Sequence, residues 1–283
     1  MTELWFTEKQ TPHLGLSLRV TKTLFTDASP YQTVEVIDTH EFGRVLLLDG
    51  LVMTTIRDEY IYHEMIVHPA LNTHPLPKDI LVIGGGDGGT VREAVKYPEV
   101  RSVELCEIDE MVVETSKRFL PEIACALTGE PRVQVVIQDG IRYVAERKGA
   151  YDVLIVDSTD PIGPAVGLFG TDFYRSCHQA LRDDGILVAQ TESPFLNLEF
   201  IVGILENLRD AGFPIVKFYT GNVPTYPSGV WCWVMASKRH DPLTDHQAGR
   251  MEALGIRTRY YTPDIHLAAF ALPRYFSEAI SRA

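Results

Sequence analysis

One junction constrains the fold more than any other feature of the chain. Ile80-Leu81-Val82-Ile83 is an unbroken apolar run that passes directly into Gly84-Gly85-Gly86-Asp87-Gly88-Gly89, and a helix-like stretch follows over residues 91–97. An apolar run of that length ending in turn residues reads as a strand buried on both faces. Gly84, Gly86 and Gly89 then form G-x-G-x-x-G between strand and helix, where glycine permits a tight turn and lets a ligand touch the backbone. Similar short apolar runs recur at residues 102–108, 133–137, 153–156 and 186–189, with helical patterns between them. That alternation predicts an α/β fold with a doubly wound, mostly parallel sheet. Two later runs, residues 215–219 and 230–236, are joined by a turn-rich loop and predict an antiparallel hairpin closing one edge.

Residues 1–56 read differently. Leu14, Leu16, Leu18 and Val20 alternate with other residues, as do Val34 and Val36, then Val45 and Leu47. Asp27-Ala28-Ser29-Pro30 and Phe42-Gly43 separate these runs as turns. The expectation is a small N-terminal antiparallel β domain over 1–56 and a catalytic domain over 57–283. So short a β segment makes a weak core alone, so it should pack on the rest of the chain or on another subunit. A helix is expected over residues 58–71, with Ile61, Met65 and His68 on one side and Pro69 near its end.

Charge narrows the partners. Lys and Arg total 26 against 38 for Asp and Glu, a net −12. Such a surface repels nucleic-acid phosphates and anionic membranes and attracts small cations. No apolar stretch approaches the roughly 18 residues that span a bilayer, and residues 1–10 lack the apolar core of a signal peptide. Cys106, Cys125, Cys177 and Cys232 are scattered without CxxC pairs, as in a reducing compartment. A soluble cytoplasmic protein is expected, with neither nucleic-acid nor membrane partner.

Carboxylates define the expected ligand. Glu107 ends the second strand of the repeat, where it can accept hydrogen bonds from both ribose hydroxyls of a nucleoside. Asp87 stands in the middle of the glycine loop. A pyrophosphate there would face a carboxylate at close range, so a nicotinamide dinucleotide fits poorly and a sulfonium nucleoside or an amine fits well. Asp139-Gly140 follows the third strand and can meet the exocyclic amine of adenine. Asp157 and Asp160 follow the fourth, and if that strand lies beside the first they converge with Asp87. Any one of these can be a helix cap or turn residue; together they point to a cation site. The run Tyr62-His63-Glu64-Met65-Ile66-Val67-His68 does not match a zinc protease, because its histidines are five apart where that motif needs four. His63 read alone is as compatible with a structural role as with a functional one. Residues 161–170, rich in Pro and Gly after a core strand, suggest a lid.

Several separate motifs resemble those of the spermidine synthases, a family of polyamine aminopropyltransferases. They are Gly84-Gly85-Gly86-Asp87-Gly88-Gly89-Thr90-Val91-Arg92-Glu93, Leu48-Asp49-Gly50, Asp58-Glu59-Tyr60-Ile61-Tyr62-His63-Glu64-Met65, Asp157-Ser158-Thr159-Asp160-Pro161-Ile162-Gly163-Pro164 and Pro224-Thr225-Tyr226-Pro227-Ser228-Gly229. The resemblance extends to Ala268-Ala269-Phe270-Ala271-Leu272-Pro273 and so covers essentially the whole chain. It implies a Rossmann-like, methyltransferase-type catalytic domain and a homodimer or homotetramer. It implies transfer of an aminopropyl group from decarboxylated S-adenosylmethionine, a co-substrate, to putrescine, with no metal and no permanently bound cofactor. By the same resemblance Gln32, Gly84, Gly86, Glu107, Asp139, Gly140 and Pro164 would contact the nucleoside. His63, Asp87, Asp157, Ser158, Thr159, Asp160 and Tyr226, with Gln190 assisting, would contact the amines; Asp157 would accept the proton, with Tyr62 beside it.

The chemistry is compatible. An aliphatic ammonium titrates near ~10.4, so freeing its lone pair at pH 7 costs roughly 4.6 kcal/mol. A neighbouring sulfonium supplies part of this by disfavouring the charged amine. Two other readings share the fold: an S-adenosylmethionine-dependent amine N-methyltransferase, against which Asp87 argues by repelling the cofactor's carboxylate, and a non-catalytic polyamine or nucleoside sensor.

Overall fold

The computed structural model describes residues 3–161 and 163–283, excluding the side chain of Pro164. Five strands come first: β1 (Leu4–Thr11), β2 (Leu14–Ala28), β3 (Thr33–Thr39), β4 (Gly43–Leu48) and β5 (Leu51–Thr55). They pair antiparallel in sequence order into one sheet. Alternation on these strands gives the sheet two apolar faces. Leu18, Ile37, Val45, Leu47 and Val52 cluster on one; Val34, Val36, Leu46 and Leu48 pack on the other against Val112, Leu120 and Ile123 of the larger part.

Helix α1 (Glu59–Thr73) follows and is buried along nearly its whole length. Its apolar residues therefore surround it instead of forming a stripe. Pro69 lies inside the helix, not near its end, and cannot donate to the carbonyl four residues back. The Tyr219 hydroxyl donates to that Met65 carbonyl instead, at 2.8 Å. His68 is satisfied by Tyr97 and Glu93, each at 3.0 Å, and is a structural residue.

The large part then alternates: β6 (Asp79–Gly84), α2 (Gly89–Ala94), β7 (Ser102–Glu107), α3 (Glu110–Phe119), β8 (Val133–Ile137), α4 (Gly140–Ala145), β9 (Tyr151–Asp157), α5 (Thr171–Ala180), β10 (Leu181–Gln190), α6 (Leu198–Asp210), β11 (Ile215–Asn222) and β12 (Val230–Ser237). Three short helices, α7 (Arg250–Ala253), α8 (Pro263–Ala269) and α9 (Arg274–Arg282), complete the chain. The seven strands are ordered β11-β12-β10-β9-β6-β7-β8, all parallel except β12. β11 and β12 do form an antiparallel hairpin, but β12 enters between β10 and β11, leaving β11 at the edge. Apolar clusters cover both faces, as continuous apolar strands require. Among the described residues no helix is long and apolar enough to cross a membrane.

Candidate active site

The order of β10, β9 and β6 fixes the site. β9 lies beside β6 in parallel register, with Gly84 opposite Asp157, so the glycine loop and the fourth strand's carboxylates leave the sheet side by side. A Cβ on Gly84 would stand 2.2 Å from the Asp157 carbonyl oxygen, and one on Gly89 would stand 2.2 Å from the His63 ring. The glycines are required by the protein's own site residues as well as by any ligand.

The motif at the start of α1 distributes its side chains among several partners. Asp58 accepts from the Thr55 hydroxyl and from Thr225 N–H and O–H, holding the loop that bears Tyr226. Glu59 accepts from Arg92 and stands 2.6 Å from His63 Nδ1. Burial opposes its charge, but His63 and Arg92 hold its carboxyl down at about 2. His63 Nε2 faces Asp87 Oδ2 at 3.3 Å. Burial lowers the affinity of this imidazole for a proton, yet Asp87 and Glu59 on its two sides raise it well above the usual range. Tyr62 donates to Asp157 Oδ1 at 2.7 Å, and Thr90 donates to Oδ2 at 2.6 Å. Glu64 accepts from the N–H groups of Arg259, Tyr260 and Tyr261, tying down the C-terminal segment.

Asp157 is buried and close to Asp87, and for both reasons its carboxyl titrates above the usual carboxylate range. Burial likewise raises Asp160. Glu107 accepts from Asp109 N–H at 2.9 Å and, chiefly through burial, is pushed up to about 7. These groups open onto a cavity of about 430 Å³ lined also by Gln32, Met53, Asp139, Ile141, Ser158, Thr159, Leu168 and Tyr226. Among the described residues that line it there is no Lys or Arg.

Gln32 donates to Asp109 at 2.9 Å while lining the cavity. Asp139 caps α4 through Ile141 N–H and lines the cavity as well. Tyr226 donates to the Met53 carbonyl at 2.5 Å, so the first sheet forms one wall. Gln190 donates to the Thr159 carbonyl at 3.2 Å. Gly163, Ala165 and Leu168, in a short 3₁₀ helix over Gly163–Phe169, cover one side. The expected contact through Pro164 lies outside the described residues, as does Ile162.

Two acids escaped the sequence reading. Glu8, on β1, accepts from Val52 N–H and lines a smaller recess beside Thr159, Asp160, Gln190 and Tyr226. Burial and nearby Asp160 push it up to about 7. Glu192 follows β10 with φ of 73°, a conformation rare outside glycine. Burial and Asp160 push it up to about 9, and its Oε1 is buried without a partner. The rule that ligands bind beyond the carboxyl ends of strands could have found Glu192. No local pattern marks Glu8.

The sheet order, the glycine loop and the carboxylate-lined cavity place the chain in the class of methyltransferase-like α/β proteins with an acidic ligand cavity at the strand ends. Comparison with known proteins narrows the class. The spermine/spermidine synthase domain matches residues 59–247, and the spermidine synthase tetramerisation domain matches residues 4–55. A polyamine aminopropyltransferase of Desulforudis audaxviator is 51% identical over 275 residues, covering 97% of this chain and 98% of the relative. One from Bacillus cereus is 49% identical over 278 residues, covering 98% and 99%. A crystal structure of a spermidine synthase in complex with the transition state analogue AdoDATO superposes with a TM-score of 0.96 at 37% identity, covering 99% of this chain and 96% of that one. The Thermotoga maritima spermidine synthase gives 0.95 at 36% identity, covering 100% and 96%. The chain belongs to the spermine/spermidine synthase family, and it is an enzyme, an aminopropyltransferase.

Proposed function

We propose that this enzyme moves the aminopropyl group of decarboxylated S-adenosylmethionine to putrescine, yielding spermidine, 5′-methylthioadenosine and one proton. The observation that carries this reading is a cavity lined by Asp87, Asp157, Asp160, Glu107 and Asp139 with no Lys or Arg in its described lining. Beyond the His63 imidazole beside Asp87, such a site receives its positive charge from its ligands. The nucleoside end is assigned to Gln32, Gly84, Gly86, Glu107, Asp139, Gly140 and Pro164. Asp87, steadied by His63, pairs with the donor's ammonium and repels the carboxylate of the parent compound.

The acceptor takes the other end. Asp160, Glu192 and Glu8 hold its distal ammonium, with Ser158, Thr159, Gln190 and Tyr226 around the chain. The reacting nitrogen sits at Asp157. There the sulfonium favours its neutral form, and Asp157, with its raised proton affinity, accepts the proton while Tyr62 fixes the carboxylate's orientation. The nitrogen lone pair forms the new C–N bond as the C–S bond breaks, and its electrons neutralise the sulfur. Holding both ends turns this displacement into an oriented, near-unimolecular step. Residues 161–170 exclude water as a lid. Assembly as a homodimer or homotetramer through the first sheet is supported by the tetramerisation-domain match and by exposed Leu4 and Trp5. Four unpaired cysteines support a cytoplasmic location.

The test is release of 5′-methylthioadenosine with putrescine and either donor. Turnover is expected with the decarboxylated donor and not with S-adenosylmethionine. Methylated amine formed from the parent compound would establish the methyltransferase reading instead, and binding without turnover the sensor.

A further inference from the structure

Away from the catalytic cavity, three side chains converge at the opposite end of the parallel strands. His74 follows the last turn of α1, Asp184 lies early in β10, and His240 follows β12. His74 Nε2 is 3.8 Å from Asp184 Oδ1, and His240 Nε2 is 3.9 Å from Asp184 Oδ2. One ligating atom from each residue falls within 4.8 Å of the others. The two imidazoles meet edge to face, with centroids 5.6 Å apart.

Folding alone does not account for this cluster. These separations exceed hydrogen-bonding distance, and both Nε2 atoms are buried without a partner among the described residues. His74 is only 3% exposed, so its unpaired nitrogen carries a desolvation cost that water does not relieve.

We propose that His74, Asp184 and His240 bind a divalent cation of the zinc type. Two neutral imidazoles and one carboxylate suit zinc or cobalt and disfavour magnesium and calcium. Ligands at 2.0–2.2 Å around a tetrahedral ion stand about 3.4 Å apart, so ligating atoms that now lie within 4.8 Å of one another draw together on binding. Asp184, 37% exposed, leaves the fourth position open to water. Asp245 Oδ2 stands 3.8 Å from His240 Nδ1, on the far side of that ring, where an outer carboxylate orients a ligating imidazole.

The surrounding charges are compatible with a cation. Arg250 donates to the His74 carbonyl at 2.7 Å but also pairs with Glu99. Asp152, the other nearby acid, pairs with Arg182. One local bond changes on binding. His74 Nδ1 accepts from Leu76 N–H at 3.2 Å, so its ring proton is on Nε2; the ion displaces that proton to Nδ1, and the Leu76 N–H turns to water, where Leu76 is already exposed. The ion would join the end of α1 to β10 and to the segment after β12. Tyr62 lies on the same helix roughly 18 Å from His74, so the role is bracing and not catalysis.

Titration of metal-stripped full-length enzyme with Zn²⁺ by calorimetry, and with Co²⁺ by visible absorption, tests the assignment. One ion per chain is expected. His240→Ala and Asp184→Asn should each weaken binding more than about 100-fold, and Asp245→Asn by roughly 10–100-fold. Near-ultraviolet circular dichroism and aminopropyl transfer without added metal should match the wild type, showing that the variants fold. The proposal is overturned if no ion binds stoichiometrically, if binding survives His240→Ala, or if Cys125→Ser abolishes it.

Discussion

At the N-terminal ends of the parallel strands, Asp79 and Asp152 are neutralised by the protein itself. Arg101 and Arg182 reach Asp79 at 2.5 and 2.7 Å, and Arg182 also reaches Asp152 at 2.6 Å. Burial opposes the charge of Asp79, but both guanidiniums and Ser102 hold its carboxyl below the ordinary range. At the C-terminal ends, Asp157, Asp160, Glu107 and Glu192 have no Lys or Arg partner among the described residues, and all four are raised. Residue type is the same at both ends of one sheet; only the supply of cations differs. Asp79 and Asp152 are satisfied as folded, whereas the acids at the second end are complete only when a cationic ligand enters. Function here is written in what is missing around a charge.

Asp157→Asn is the most severe way to break this contrast. It keeps the shape of the pocket while removing one unpaired charge and the proton acceptor, so kcat should fall about 10²–10⁴-fold. Donor affinity should change little, and rising pH should restore part of the rate because more amine is then already neutral. A pH–rate profile of both proteins at saturating donor decides it; near wild-type kcat at neutral pH would reduce Asp157 to a cation anchor.

Glu107→Gln sharpens the contrast by separating stability from binding. The carboxyl titrates at about 7 when folded against 4.5 unperturbed. Its folded pKa is raised, so the associated stability is complete below 4.5 and is lost as pH rises through 7. The amide stays neutral throughout. The ligand-free variant should therefore gain up to about 3 kcal/mol over wild type at pH 8, and little at pH 4. Urea unfolding at the two pH values measures this, while donor KM should rise with kcat nearly unchanged.

Arg182→Ala acts on the paired acids Asp79 and Asp152 and has the smallest expected effect. It leaves Asp79 with Arg101 and Asp152 with its backbone donors Lys78 and Asp79. Because Arg182 is 34% exposed, solvent tempers the loss to about 1–2 kcal/mol of stability. Kinetic constants at 25 °C should match the wild type. A loss of amine affinity instead would show that the two ends are coupled.

Much of the fold was legible because buried parallel strands announce themselves as unbroken apolar runs. Strand order was less so: nothing in residues 215–236 says that β12 enters between β10 and β11. β1 and β5 carry too little apolar alternation to stand out, and α1 is apolar on every side because the sheet and α2 enclose it. At the site, Asp87, Asp157 and Asp160 sit beside strand ends that the sequence does mark, and the neighbouring β6 and β9 bring them together. Glu8 could not be read, since it reaches the recess beside the cavity only through the pairing of β1 and β2 and the approach of β5. His63 was ambiguous by itself; its place between Glu59 and Asp87 is a property of the assembled helix and loop.

The raised acids in and beside the cavity also bind protons more tightly than free carboxyls do. Burial raises Glu192, Glu8 and Glu107 above the ordinary carboxyl range, and Asp160 adds to the shift of Glu192 and Glu8. A polyamine entering such a site displaces hydrogen ions from it, as a cation does from an ion exchanger in its acid form. Amine uptake should then release protons, and acidification should weaken amine binding.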